Sequence, residues 1–129
     1  MRQAIRKFGR LLESAQVGLF FFAGHGIQIK GRNYLMPIGM HVETKEDIEF
    51  EAVNAGLVLR KIEMAGGDKV SIVILDACKY HFGRGYTGLA RMDAPQGSIL
   101  IYSSAPGSKA ADGPGRNGLY TEQLLKHMK

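Results

Sequence analysis

Val17-Gly18-Leu19-Phe20-Phe21-Phe22, followed directly by Ala23-Gly24-His25-Gly26, is an apolar run without in-and-out alternation. Continuous apolarity is expected of a parallel strand covered on both faces. A second such run, Val70-Ser71-Ile72-Val73-Ile74-Leu75, leads into Asp76-Ala77-Cys78, and a third is Ser98-Ile99-Leu100-Ile101-Tyr102. Parallel strands bring their C-terminal ends to one edge of a sheet, where open α/β folds place their sites. His25 and Cys78, each just past a strand, are therefore delivered to the same edge. A thiol and an imidazole placed there form a candidate nucleophile–base pair.

The remaining pattern fits around these strands. In residues 2–13 the apolar Ile5, Phe8, Leu11 and Leu12 share one helical face, with Arg2, Arg6, Lys7 and Arg10 mostly elsewhere. Ile27-Gln28-Ile29 and Tyr34-Leu35-Met36 flank Lys30-Gly31-Arg32-Asn33, a hairpin signal. Residues 43–49 are acidic, with Thr44 and Asp47 spaced as a capping-box variant. Phe50, Val53, Leu57, Val58 and Ile62 give one helix that ends near Gly66-Gly67. Residues 83–88 and 103–118 read as Gly-rich loops, and Tyr120, Leu124, Leu125 and Met128 mark a final helix. The expected fold is α/β, a single domain over 1–129 with a mostly parallel sheet flanked by helices. Three sheet strands beside a hairpin are few. A strand at 17–22 without a neighbour on each side leaves one row of backbone groups unpaired, an edge that recruits another strand and gives a dimer or an aggregate.

Composition narrows the function classes. The chain has 129 residues, 45% hydrophobic and 22% charged, which are ordinary globular values. No apolar run approaches the roughly 18 residues of a membrane span, and the basic amphipathic N-terminus is not a signal peptide. A single cysteine makes no internal disulfide and excludes a multi-cysteine zinc site. Cytoplasmic placement is the expectation. The net charge of +5 comes from scattered basic residues, and no nucleic-acid motif accompanies them, so neither nucleic acid nor membrane is an expected partner.

Each candidate site residue also has a structural reading. An unpaired cysteine is often a small buried hydrophobe. Cys78, however, follows Asp76 and precedes polar and Gly-rich sequence, so it is expected to emerge from the core. An imidazole nearby promotes the thiolate, which is the nucleophilic form. The glycines flanking His25 leave room for a substrate to approach, and the Gly26 amide can join the Cys78 amide in stabilising an oxyanion. His81 is the rival base, while His41 and His127 lack comparable surroundings. His25, Asp76 and Cys78 are metal-ligand types, but no helical His pair or Cys-x-x-Cys clamps them. Neither a P-loop nor a complete Gly-x-Gly-x-x-Gly is present. No cofactor is expected.

Leu19-Phe20-Phe21-Phe22-Ala23-Gly24-His25-Gly26 and Ile72-Val73-Ile74-Leu75-Asp76-Ala77-Cys78 resemble the histidine and cysteine boxes of the caspase-like cysteine peptidases, especially the bacterial metacaspase-type branch of the peptidase C14 group. The 53 residues from His25 to Cys78 are close to the roughly 50 of caspases. The likeness extends through Asn33-Tyr34-Leu35-Met36-Pro37, the helical stretch 50–64, Ser98 to Gly107 and Asn117-Gly118-Leu119-Tyr120-Thr121. It covers nearly the whole chain.

The resemblance implies a caspase-like three-layer architecture and peptide-bond hydrolysis through an acyl-enzyme. In it Cys78 is the nucleophile, His25 the general base and acid, and the Gly26 and Cys78 amides the oxyanion hole. Asp76 matches a position lining the primary specificity pocket. A carboxylate there favours Arg or Lys at P1 by charge pairing, and its structural reading is a turn cap. Calcium dependence is left open, since no acidic cluster specifies a site. The family's leading strand–helix–strand, its trailing strand and helix and a second pocket carboxylate find no match here, and Lys79-Tyr80-His81-Phe82-Gly83 departs from the family pattern. The expectation is thus a partial caspase-like domain: a cysteine endopeptidase acting on peptide or protein substrates, or alternatively an inactive or truncated module acting through protein contacts.

Overall fold

A computed structural model describes residues 1–79, 88–108, 115 and 117–128. The chain opens with α1 (Arg2–Ser14), which turns Ile5, Gly9 and Leu12 into the core. Phe8 packs against them, but Leu11, expected on the same face, stays exposed. Gly9 takes its place because α1 lies hard against the Lys61 stem, where a Cβ at residue 9 would come within 2.7 Å of Cδ.

The next element is one long strand, β1 (Val17–Ile29), which extends past the expected 17–22 and carries His25 in its interior. Lys30 and Gly31 both have positive φ, 50° and 75°. That is the two-residue turn whose twist suits a hairpin, and the chain returns as β2 (Arg32–Leu35). After α2 (Lys45–Glu51) come a short β3 (Val53–Asn54) and α3 (Gly56–Ala65). The expected capping box is present at α2, where Thr44 accepts from the Asp47 amide and Asp47 accepts from the Thr44 amide. Bonds from the Thr44 and Glu43 amides and the Thr44 hydroxyl hold the Asp47 carboxyl below its usual range. Their support for α2 is therefore present above the ordinary carboxylate range and lost as pH falls through the depressed value.

The single helix expected across 50–64 is broken in two. Val53 and Asn54 pair with Leu35 and Tyr34, and the Asn54 Oδ1 accepts from Gly56 N at 2.8 Å, starting α3 afresh. Helical periodicity persisted through this stretch because the strand pair buries Val53 beside Val58 and Ile62.

The chain is completed by β4 (Val70–Lys79), β5 (Ser98–Tyr102) and α4 (Leu119–His127). The sheet order is β3-β2-β1-β4-β5. Only β1·β4 and β4·β5 are parallel, and β1·β2 and β2·β3 are antiparallel. The sheet is mixed, not mostly parallel as expected. The reason is that β1 changes partner along its length, pairing β4 from Val17 to Gly26 and β2 from Gly26 to Ile29. A strand that returns through a two-residue turn can only be antiparallel.

Helices cover both faces. The face bearing Phe20, Phe22, Val73, Leu75 and Leu100 packs with α1 and α3 into the main core. The opposite face carries a smaller cluster of Ile27, Ile29 and Tyr34 with Ile48 and Ala52. On that same face Leu19 (51% exposed) and Phe21 (43%), with Val70 and Ile99, remain open to solvent.

Asn33 ties this frame together. Buried at 1% exposure, its side chain donates to the Ala90 carbonyl and accepts from the Ala90 amide, both at 2.7 Å. Asn33→Ala orphans both backbone groups and is expected to cost about 2–4 kcal/mol, read as a lowered urea midpoint. A loss under about 0.5 kcal/mol would show that the pair does not hold this segment.

Candidate functional site

The β1·β4 register places His25 directly opposite Cys78. Neighbouring strands lie about 4.8 Å apart, and residues facing one another across a parallel pair project to the same side of the sheet. His25 is exposed and Cys78 half-buried. Both line one open cleft of about 330 Å³, with Asp76 of β4 and Asn117, Gly118 and Thr121 at the start of α4. Two residues 53 apart in sequence thus share a cleft through strand pairing alone. The rival base His81 lies outside the described residues, as do 80–87, 109–114 and 116 in the two Gly-rich loops.

The backbone around the pair is engaged by the sheet. Val70 N donates to the Gln16 carbonyl at 3.0 Å, and Ser71 N to Gly97 on the other side. Alternate residues of a parallel strand bond the same neighbour. The backbone N–H and C=O groups of even-numbered residues in β1 and β4 therefore point toward the opposing strand, and the pairing runs on to Gly26↔Lys79. This alternation directs the Gly26 amide to the Cys78 carbonyl and the Cys78 amide to the Gly24 carbonyl. An oxyanion hole built from these two amides requires the strands to part at this end.

Asp76 is buried at 5% exposure, one pleat below Cys78 on the same face. Its Oδ2 accepts from the Thr121 amide at 3.2 Å and from the Thr121 hydroxyl in a short bond. α4 begins at Gly118, which has no side chain to cap the helix. Asp76 supplies that cap from another element, satisfying an otherwise open amide and setting a negative charge at the positive end of the helix. Gly118 sits close by necessity, since a Cβ there would lie 3.2 Å from Oδ2. The carboxylate expected to await a basic substrate side chain already has partners. Thr121 was not singled out as a site residue in the sequence, although a helix beginning Gly118-Leu119 without a capping side chain signals that a cap comes from elsewhere.

Among the described residues no group of three or more His, Cys, Asp or Glu side chains gathers to hold a metal ion. None of the described helices is long and apolar enough to cross a membrane.

The capping contact makes a direct prediction. Thr121→Val keeps the shape and removes the hydroxyl from a buried carboxylate, and should cost about 1–3 kcal/mol in urea unfolding. Thr121→Ser should retain most of that stability. Equal midpoints for the Val variant and the wild type would show that the hydroxyl does not hold α4 in place.

The model of the caspase domain family of peptidases matches residues 1–129. No curated protein gives a significant match to the chain. The family match spans the whole chain, and the mixed sheet flanked by helices with its cysteine and histidine on facing strands agrees with it: the chain belongs to the caspase domain family.

Proposed function

We propose that this caspase-family chain acts, in the conformation described, as a module working through protein contacts rather than as a self-sufficient peptidase. The observation that carries this reading is the open edge of β1. From Val17 to Gly24 its described neighbour is β4 on one side, and on the other side β2 begins pairing only at Gly26. The Met36 N–H to His25 carbonyl bond marks that outer side. By the same alternation, the N–H and C=O groups of Val17, Leu19, Phe21 and Ala23 point outward. An edge left unpaired among the described residues, beside exposed Leu19 and Phe21, is a template for strand addition. The occupant we assign is the same edge of a second copy, extending a caspase-like three-layer domain into a continuous sheet. The capped state of Asp76 and the engaged Gly26 and Cys78 amides support the same reading. A cytoplasmic setting and a bacterial metacaspase-type origin belong to it, and a reducing compartment keeps the Cys78 side chain in its thiol form.

Sedimentation velocity over a concentration series tests the edge. The wild type should self-associate, and Ala23→Pro, which removes an outward N–H without touching the β4 ladder, should shift it to monomer with unchanged circular dichroism. A wild type that stays monomeric and unfolds cooperatively overturns the reading.

A second reading, a cysteine endopeptidase, is favoured by the His25↔Cys78 register. In it His25 takes the Cys78 proton, the thiolate attacks the scissile carbonyl, and His25 returns the proton to the leaving amine. Gly26 and Cys78 amides released from the ladder would hold the oxyanion. Asp76, freed from Thr121, would pair with Arg or Lys at P1. The test compares peptides differing only in Arg, Lys or Asp at P1, together with a thiol-directed acylating probe. Turnover and labelling should both vanish in Cys78→Ala. Equal turnover by that variant removes the reading, and a wild-type preference for Asp removes the role of Asp76.

A further inference from the structure

Arg2, Arg6 and Arg10 recur every four residues along α1, so they stack on one face of the helix. The first turn of α1 holds no acidic residue. Arg2 stands in the first turn, where the helix dipole opposes a positive charge, and like charges four residues apart oppose one another along the rest of the row. Such an arrangement is disfavoured by the helix itself. Among the described residues no carboxylate bridges Arg6, Arg10 or Lys61: Glu49, which lines the same cleft as Arg2 and Arg6, lies 3.5 Å from Lys30, and Glu13, which lines the adjoining depression with Arg6 and Arg10, forms no ion pair with them.

These cations border a cleft of about 460 Å³ between α1, α3 and the β2–β3 pair. Arg2, Arg6 and Lys61 stand on its rim, and Ile5, Val53 and Leu57 are among the apolar groups of its wall. A second depression, sharing Arg6 and Lys61 with the first, continues the basic strip to Arg10. Arg2 is held in place, because its Nη2 donates to the carbonyls of Phe50 at 2.6 Å and Ala52 at 3.2 Å. Both bonds use one nitrogen, which leaves the Nε and Nη1 donors for a carboxylate. Lys61 is likewise steadied, its stem lying over Gly9.

We propose that this cleft is a docking site for an acidic peptide segment of a partner protein, one in which an apolar side chain is flanked by carboxylates. The apolar residue rests against the exposed Leu57, over the buried Ile5 and Val53, and the flanking carboxylates meet Arg2, Arg6 and Lys61. A nucleic acid fits less well, because Tyr34, the aromatic residue of the lining, is buried and offers no open ring face for base stacking. The surface is separate from the open β1 edge, and the inference does not depend on self-association there.

Fluorescence anisotropy with a short labelled peptide of leucine flanked by glutamates tests it, beside a lysine-flanked control and a labelled single-stranded oligonucleotide. The acidic peptide should bind, weaken with rising salt, and lose at least about tenfold in affinity in Arg6→Glu and in Lys61→Gln. Methyl chemical shifts of Ile5, Val53 and Leu57 should move on titration, which reports the site in the folded wild type whatever the variants do. Ala23→Pro should leave binding intact, so failure of the edge and failure of the cleft are told apart. Absence of binding by the acidic peptide, equal binding by folded Arg6→Glu, tighter binding of the oligonucleotide, or shifts confined to other residues would each overturn the proposal.

Discussion

The parallel ladder between β1 and β4 is the constraint on which the rest of this molecule depends. Ten register pairs from Val17↔Val70 to Gly26↔Lys79 align two apolar strands and sort their side chains by parity. Odd residues of β1 and even residues of β4 share the face with His25 and Cys78, and the others enter the main core with α1 and α3. A slip of one residue would move every side chain of one strand to the wrong face. It would also separate His25 from Cys78. Core burial and the placement of the cleft are thus enforced by the same register.

The ladder has a cost at its C-terminal end. In the described conformation the sheet and α4 use groups that amide chemistry would call on: the two amides lie in the ladder and the Asp76 carboxylate caps a helix. Removing any of these bonds leaves a buried polar group unsatisfied, a penalty larger than the net worth of the bond. In the peptidase reading, structural satisfaction and catalytic readiness would compete for the same atoms.

Charge placement divides the surface in a similar way. The acidic α2 is arranged as its helix prefers, with Glu46 and Asp47 in the first turn and a complete capping box. The arginines of α1 run against the preference of theirs. Arg2 finds its partners outside the helix, in the carbonyls of Phe50 and Ala52.

The sequence by itself determined the α/β class, the three apolar strands, the capping box at Thr44, the first and last helices and the delivery of His25 and Cys78 to one sheet edge. These are local signals: apolar continuity, periodicity and cap chemistry act over a few residues. The family likeness rested on boxes of the same kind. What only the tertiary structure decided was pairing. Sequence could not show that β1 continues through His25 to Ile29 and exchanges β4 for β2, nor that Val53 and Asn54 leave a helical pattern to close the sheet. It could not show that Asp76 would find Thr121, 45 residues away. A hydrogen bond between distant elements depends on how those elements pack, and the residues at its two ends carry no mutual mark in the chain.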